Sequence, residues 1–252
     1  MKTRFLILLI VGSLMVVACG GKTQPAAAPE EELPEIAPAE PVTEAGEQEI
    51  STCALVTDLK PEWRTVLCET FDDNAHGWYT GEGDSERMTG ESKLENGEYI
   101  VDYTGKAFAQ YSKGGLTRLP IIKSSDFLVS VTGLIETVNR ELGWGIGFHF
   151  TDNSEGYLFR IGQEGYYSLY KVAANAATPL VQWKTNSAIQ WEEENTLVVI
   201  AENDQFEFYV NGTLLTTYSD SEISGDNVYL IFWLAEGASA VYTMDDILVK
   251  IP

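Results

Sequence analysis

Segments in which apolar and polar residues alternate follow one another through most of the chain after residue 98. A side-chain period of two is typical of β-strands that bury one face. Asn211-Gly212 separates two of these segments and is a strong signal for a two-residue type I′ hairpin turn. The pattern predicts strands near residues 98–103, 106–112, 126–136, 143–151, 156–162, 166–172, 179–184, 196–202, 205–210, 213–218, 227–234 and 240–250.

No long amphipathic helix pattern competes with these strands, and only residues 57–66 have a spacing compatible with a helical turn or two. Glycine, tyrosine and β-branched residues are frequent, which also favours β structure. Many antiparallel strands within about 200 residues are typical of one sandwich or jelly roll. We therefore expect an all-β, antiparallel jelly-roll sandwich over residues 53–252.

The first eighteen residues have the composition of a secretory signal peptide. Lys2 and Arg4 precede an apolar run of 13 residues, Phe5 to Val17, which is too short to span a membrane. The run leads into Val16-Val17-Ala18-Cys19-Gly20, which resembles the lipobox read by bacterial lipoprotein-processing enzymes. That resemblance implies cleavage before Cys19, lipidation of its thiol, and an extracytoplasmic protein anchored to the cell membrane or outer envelope. The alternative is an ordinary secretory signal with a chance cysteine.

The chain contains three cysteines. If Cys19 carries lipid, Cys53 and Cys68 remain as a pair in an oxidising compartment, where a disulfide is the default. Its loop of 16 residues predicts about 3 kcal/mol of stabilisation through restriction of the unfolded chain. The alternative is two free thiols. A metal site is poorly supported, because neither cysteine has a second Cys or a His at ligand spacing.

Residues 19–52 differ in composition from the rest of the chain. From residue 22 onward they hold five prolines, eight glutamates, one lysine and no aromatic residue. Such a segment cannot bury enough apolar area to offset its ordering entropy, so we predict a disordered, extended, acidic linker. The linker carries −7 of the chain's net charge of −22. Cleavage of the signal peptide would also remove Lys2 and Arg4, which makes the net charge of the mature chain −24. The folded part then carries about −17, which argues against a nucleic-acid partner, because phosphate binding needs basic patches.

Six segments between residues 68 and 252 carry a family resemblance. They are Glu69–Trp78, Gly143–Phe150, Glu155–Gly162, Gly165–Lys171, Phe208–Gly212 and Met244–Val249. Together they resemble the concanavalin A-like lectin/glucanase superfamily, and most closely laminin-G-like jelly rolls and the domain of the 3-keto-disaccharide hydrolase family. The resemblance implies that the opening segment around Phe71 pairs near the last strand, Ile247 to Ile251. Because this superfamily contains lectins, adhesion modules and glycosidases, the resemblance implies no single activity.

Alternation assigns the side chains of residues 143–162 to two faces. The inner set is Trp144, Ile146, Phe148, Phe150, Tyr157, Phe159 and Ile161. Matching these apolar sets across a hairpin predicts that Phe150 lies opposite Phe159. The same register places His149 opposite Arg160, because a slip of one residue would turn every side chain to the other face.

The outer face then carries a row of polar side chains between glycines and tyrosines. A hairpin at Gln163–Gly165 places Ser168 beside Arg160. A sugar site typically has a concave floor, formed here by glycines, with aromatic rings for stacking and a few fixed hydrogen-bond donors. The alternative is that this face is an ordinary solvated surface. Tyr229 and Trp233 lie on a strand that is apolar on both faces, which fits a groove wall or a second buried layer equally well. The candidate ligand-binding residues are His149, Arg160, Ser168, Tyr166, Tyr170, Tyr229 and Trp233.

Acidic loops supply the oxygen ligands that Ca²⁺ prefers, which favours a structural Ca²⁺ site; the alternative is that these short Asp/Asn clusters are only turns. The candidate ligands are Asp72, Asp73, Asn74 and Asp245, or else Asp152, Asn153 and Glu155. No other cofactor is expected, and His76 is interpreted as a turn residue.

Glu82-Gly-Asp-Ser-Glu86 matches the Glu-x-Asp-x-Glu pattern of laminarinase-like glucanases, whose carboxylates act as nucleophile and acid about 5–5.5 Å apart. Gly83 and Ser85 occupy positions where a strand would place bulky core residues. We therefore interpret the segment as a loop and the match as a coincidence, and we assign no catalytic residue.

These observations predict a cell-envelope lipoprotein that presents a non-catalytic carbohydrate-binding module. A neutral or weakly acidic glycan is the expected partner, because the negative charge would repel strongly anionic polymers. A glycoside-cleaving enzyme of the 3-keto-disaccharide hydrolase type and a protein-adhesion or structural envelope domain are the alternatives. Paired carboxylates in the groove would favour the enzyme, and a flat exposed hydrophobic patch would favour adhesion.

Replacing Cys19 by serine tests the anchor. The Cys19→Ser protein should move from membranes into the soluble fraction, because stable anchoring requires two or more acyl chains. Cell fractionation and incorporation of labelled palmitate measure the effect. Unchanged partitioning together with undiminished labelling would contradict the prediction.

Overall fold

Two antiparallel sheets face each other in a computed structural model, which describes residues 58–86, 88–106, 116–119, 124–137, 142–152, 154–174, 176–191 and 193–252. The strands are β1 (Arg64–Glu69), β2 (Gly81–Asp84), β3 (Met88–Glu95), β4 (Glu98–Gly105), β5 (Leu116–Arg118), β6 (Phe127–Thr137), β7 (Leu142–Phe150), β8 (Gly156–Gly162), β9 (Tyr166–Ala173), β10 (Ala176–Thr185), β11 (Asn195–Glu202), β12 (Gln205–Val210), β13 (Thr213–Ser219), β14 (Asn227–Leu234) and β15 (Ser239–Ile251).

The strand order is that of a jelly roll. Within the described residues, the nine-stranded sheet has the order β13-β12-β11-β6-β15-β4-β3-β2, and β1 also pairs with β15. The six-stranded sheet has the order β10-β9-β8-β7-β14-β5. This architecture confirms the predicted all-β antiparallel sandwich. No helix in the described part of the chain is long and apolar enough to cross a membrane.

The core lies between the two sheets and is built from alternate residues of each strand. Phe148 of the six-stranded sheet packs 5.2 Å, ring to ring, from Phe206 of the nine-stranded sheet, and Phe159 packs 5.0 Å from Phe208. All four rings are buried. Burying a side chain of this size stabilises the fold by about 1.5–3 kcal/mol, so the period-two pattern dictates which face of each sheet turns inward.

Two predicted hairpins are confirmed. Val210 of β12 pairs with Thr213 of β13, and Asn211 and Gly212 have φ of 50° and 75°, as a type I′ turn requires. Between β8 and β9, Arg160 lies opposite Ser168.

The predicted register between β7 and β8 is wrong. Arg160 lies opposite Gly145, not opposite His149, and Phe148 lies opposite Tyr157. The predicted and observed registers differ by four residues. Alternation distinguishes only odd slips from even ones, so a shift of four keeps the same side chains facing inward and cannot be detected from the pattern.

A bulge near the end of β7 reverses the faces of its last two residues. Between Gly147 and Phe150, three steps along β7 correspond to two along β14. His149 adopts a left-handed φ of 53°, and its ring lies 5.3 Å from Phe127 and 5.4 Å from Phe206. His149 therefore faces the core and Phe150 faces outward, which corrects the opposite prediction for both residues.

The N-terminal part of the domain departs most from the prediction. β1, β2, β3 and β5 were not predicted, and β1 occupies part of the segment in which a helical turn was considered. Residues 81–84 form an edge strand rather than a loop, with Glu82, Asp84 and Glu86 all exposed. The signal peptide, the linker, Cys19 and Cys53 lie outside the described residues, as do residues 107–112 of the predicted strand at 106–112.

Glu69 joins the opening segment to the sandwich. It is buried at the end of β1, where it pairs with Ile247 of the last strand, as the family resemblance implied. Its Oε1 accepts a hydrogen bond from the Phe71 N–H at 2.7 Å. Its Oε2 accepts one from Trp78 Nε1 at 2.6 Å and lies 2.7 Å from His76 Nδ1. The buried carboxylate thus has hydrogen bonds to both oxygens.

Glu69→Gln should lower the free energy of unfolding by about 2 kcal/mol. The amide N–H₂ group must replace either Oε1 or Oε2, and in both positions it would face a hydrogen-bond donor instead of accepting from it. Urea unfolding measures the change. Glu62→Gln, at an exposed position just before β1, is the matched control and should change stability by less than about 0.5 kcal/mol. Equal stabilities of the two variants would show that the Glu69 carboxylate is not a structural anchor.

Candidate functional site

One end of the outer face of the six-stranded sheet is a second buried layer. The ring of Tyr229 packs 5.4 Å from that of Phe150 in a T-shaped arrangement. The buried members of the cluster are Phe150, Leu158, Val172 and Ile231, with Tyr170, Ala177 and Tyr229 packed against them. This end of the face is therefore not an open groove, and Tyr229 lies in the buried layer.

The glycine floor is occupied by the protein's own rings. A Cβ atom at Gly143 would lie 2.5 Å from Nε1 of Trp233, and one at Gly156 would lie 2.5 Å from Cδ2 of Phe150. Glycine at these positions lets each ring lie directly on the sheet. The floor is low, as predicted, but aromatic side chains cover it.

Beside this layer the rings form a cage around Arg160. Its guanidinium carbon lies 4.4 Å from the ring centre of Tyr170, 5.2 Å from that of Trp183 and 5.7 Å from that of Trp233. Burial lowers the pKa of Arg160 to about 10, which leaves the side chain cationic at neutral pH. Such cation–π contacts contribute about 0.5–2 kcal/mol each. Arg160 is only 3% exposed, so the prediction that it lies in an open polar row is wrong.

A cleft of about 370 Å³ opens against one side of the cage. The rings of Trp183 and Trp233 stand 5.9 Å apart at 45° to each other, and the Tyr166 side chain is 39% exposed. The lining residues are Leu142, Gly162, Gln163, Glu164, Tyr166, Trp183 and Trp233. A concave, mainly apolar space with a few polar groups is typical of a small-molecule site.

The local chain geometry explains how these side chains meet. A short 3₁₀ turn, Gln163–Gly165, connects β8 to β9 and places Glu164 and Tyr166 at the cleft. Trp183 was missed in the sequence. Val181 faces the core, and regular alternation would turn Trp183 inward as well, but the pairing of β10 with β9 is irregular between residues 181 and 184. That irregularity leaves Trp183 beside Trp233, on the outer face.

The structure brings together five of the seven predicted ligand-binding residues. The cage and the cleft contain Arg160, Ser168, Tyr166, Tyr170 and Trp233. Tyr229 and His149 lie elsewhere. Ser168 Oγ and Trp233 Nε1 are buried and have no hydrogen-bond partner among the described residues. A role of these residues in ligand binding stays a prediction.

The calcium candidates are arranged mainly as turns. Asp73 accepts a hydrogen bond from the Ala75 N–H, and the Asn74 side chain bonds both backbone polar groups of Trp78. Burial, and next the nearby Asp72 carboxylate, raise the pKa of Asp245. Within the described part of the chain, no three His, Cys, Asp or Glu side chains are arranged to hold a metal ion. Asn153 of the alternative set lies outside the described residues, and calcium binding stays a prediction.

Comparison with known proteins identifies the fold. No family model and no curated protein matches the sequence. Among solved structures, the Bacillus licheniformis beta-glucanase is 11% identical, with 74% of this chain and 97% of that chain covered and a TM-score of 0.53. A Flavobacterium laminarinase is 15% identical, covers 75% and 100%, and has a TM-score of 0.51. The laminarinase catalytic domain of Thermotoga maritima is 11% identical, covers 75% and 98%, and has a TM-score of 0.52. The chain therefore has the concanavalin A-like jelly-roll fold, as the sequence resemblance implied.

His149 occupies a different site, at the far end of β7. Its Nδ1 donates a hydrogen bond to the Gly225 carbonyl at 3.0 Å, and the Gly225 N–H donates to the His149 carbonyl at 3.1 Å. Burial lowers the pKa of His149 below its ordinary value of 6.5. The hydrogen bond to Gly225 and the charge of Asp126 oppose this decrease only in part. The imidazole is therefore neutral at neutral pH, with Nε2 as an acceptor.

The pKa of His149 predicts a pH dependence of stability. Between the native pKa and 6.5 the unfolded chain binds more protons at this residue than the native chain, so acidification through this range destabilises the fold. His149→Asn, which tolerates a left-handed φ, should lose less stability than the wild type between about pH 7.5 and about pH 5.5. Urea unfolding of both proteins at both pH values measures the difference, in which the carboxylate contributions cancel. Identical losses would contradict the prediction.

Proposed function

We propose that this domain is a non-catalytic carbohydrate-binding module of a lipid-anchored cell-envelope protein. The cleft formed by Tyr166, Trp183 and Trp233 is the observation that carries the proposal. All three rings are partly exposed, so each offers a surface on which a sugar can stack. Gln163 and Glu164 add hydrogen-bonding groups, as required to orient a hydroxylated ligand.

The distribution of carboxylates supports binding rather than hydrolysis. Most glycosidases use two carboxyl groups about 5–9.5 Å apart. Strands β7, β8, β9 and β14 contain no Asp or Glu. Glu164 is the one carboxylate among the described residues that line the cleft.

The apolar surface gives less support to a protein-adhesion domain. Apart from Tyr166, the large hydrophobic side chains exposed in the described part of the chain are Val66, Tyr79 and Leu214. They lie on β1, before β2 and on β13, so they belong to separate elements rather than to one flat patch.

A neutral or weakly acidic glycan fits the charge of the domain. The net charge of about −17 would repel a strongly anionic polymer at long range, and Glu164 would repel it within the cleft. The structural neighbours are glucanases and laminarinases by name, which makes laminarin, a neutral β-1,3-glucan, the first probe.

The proposal keeps the anchor and the disulfide predicted from the sequence. Lipid on Cys19 would hold the domain at the membrane through the acidic linker. Cys68 is half-buried in β1, opposite Leu248 of β15. A bond from Cys68 to Cys53 would therefore fix the end of the linker to the sandwich.

Trp183→Ala and Tyr166→Ala should each weaken laminarin binding at least tenfold, or about 1.4 kcal/mol, because each removes a stacking surface. Quenching of tryptophan fluorescence and isothermal titration calorimetry measure the affinity. A glycan array of neutral and acidic oligosaccharides extends the test to other ligands.

Two variants make the cleft test specific. Trp183→Phe retains an aromatic ring and should lose less affinity than Trp183→Ala. Tyr79→Ala removes a more exposed ring outside the cleft and should bind as the wild type does. Full binding by Trp183→Ala and Tyr166→Ala would place any glycan site elsewhere, and binding to no glycan on the array would contradict the proposed function.

A further inference from the structure

A second pocket, of about 380 Å³, lies at the opposite end of β7 from the aromatic cleft. Four segments form it: the start of β6, the end of β7, the turn between β11 and β12, and the connection from β13 to β14. It shares no described lining residue with the cleft, and no element of the proposed carbohydrate site depends on it.

The floor of this pocket is buried and contains one unpartnered acceptor. Phe206 and Ile223 supply apolar surface, and His149, which is 2% exposed, supplies the imidazole. Because Gly225 takes the Nδ1 hydrogen, the neutral ring presents the lone pair of Nε2. Nε2 has no hydrogen-bond partner among the described residues.

The wall of the pocket carries uncompensated negative charge. Asp220 is already engaged, because it accepts hydrogen bonds from Lys171 Nζ and from the Glu222 N–H, both at 2.8 Å. Asp126 accepts one bond through Oδ1, from the Asn203 N–H at 2.9 Å. Within the described part of the chain, neither the second oxygen of Asp126 nor the carboxylate of Asp204 has a hydrogen-bond or ion-pair partner.

We propose that this pocket binds a small molecule that carries a primary ammonium group, as a deacetylated amino sugar does. An ammonium has three N–H donors and one positive charge. The positive charge matches the carboxylates of Asp126 and Asp204, and the donors of the ammonium and hydroxyl groups match the free acceptors of the pocket, Nε2 of His149 among them. The serine hydroxyls at the rim are suited to the hydroxyl groups of such a ligand.

Other ligand classes satisfy the pocket less well. A neutral sugar would leave both aspartates without a counter-charge, and a quaternary ammonium has no N–H to donate to Nε2. A divalent metal ion needs several converging ligands, and the described residues provide no group of three. The charge of the whole domain, about −17, attracts a cation at long range.

Titration of the full chain with glucosamine, followed by NMR of the histidine ring, tests the proposal. The sequence contains only His76 and His149, so a His76→Gln variant assigns the signals. At about pH 7, above the lowered pKa of His149, glucosamine should shift the His149 signals saturably. N-acetylglucosamine has no charged amine and should leave them in place.

Carboxamide variants locate the charge. Asp126→Asn keeps the oxygen that accepts from Asn203, so it should fold normally while the affinity for glucosamine falls at least tenfold; Asp204→Asn should act similarly. Asp102→Asn is the control and should bind as the wild type does. Asp102 is exposed, and it pairs with the same β15 residue as Glu136, which lies at the other end of β6 from Asp126.

Three results would overturn the proposal: equal shifts with N-acetylglucosamine, no saturable shift with glucosamine, or full affinity in both the Asp126→Asn and the Asp204→Asn variants. Trp183→Ala should retain the glucosamine response whether or not the cleft binds glycan, so failure at either site can be distinguished from failure at the other.

Discussion

The one-residue bulge at the end of β7 determines what each end of the six-stranded sheet presents. Before the bulge, alternation turns Trp144 into the core and glycines outward. After it the order is reversed, and His149 joins the core while Phe150 covers the outer face. A left-handed φ in a residue with a side chain costs about 1–3 kcal/mol. The paired hydrogen bonds with Gly225 and the contacts with core rings offset that cost.

Burial of Arg160 explains why the outer face ends in an aromatic cleft. This part of the sheet is apolar on both faces, so a charge buried in its middle needs compensating groups beside it, and aromatic rings are among them here. Tyr170, Trp183 and Trp233 supply the rings, and glycine at position 143 lets Trp233 approach the sheet closely. The rings that compensate the cation on one side are the same rings that line the cleft on the other. Stability of the cage and the shape of the cleft are therefore coupled.

The sequence predicted the fold well because alternation and turn chemistry are local signals. Asn211-Gly212 required its hairpin, and the core assignment of Trp144 and Phe159 followed from period two. The site was predicted less well, because its geometry depends on departures from that period. The bulge at His149 and the irregular pairing beside Trp183 each reverse which face the following side chains occupy. The sequence of one strand does not reveal such a reversal, because it depends on the pairing with the partner strand. The short edge strand β2, without an apolar face, gave no signal at all.

The cleft and the acidic pocket would select ligands by different physics. Stacking on Trp183 depends on contact area and is nearly independent of charge, so it tolerates the negative field of the domain as long as the ligand is neutral. Attraction to Asp126 and Asp204 depends on that field and weakens with salt over a Debye length of about 8–10 Å. Salt therefore distinguishes the two sites, because it would weaken binding in the acidic pocket and leave stacking in the cleft nearly unchanged.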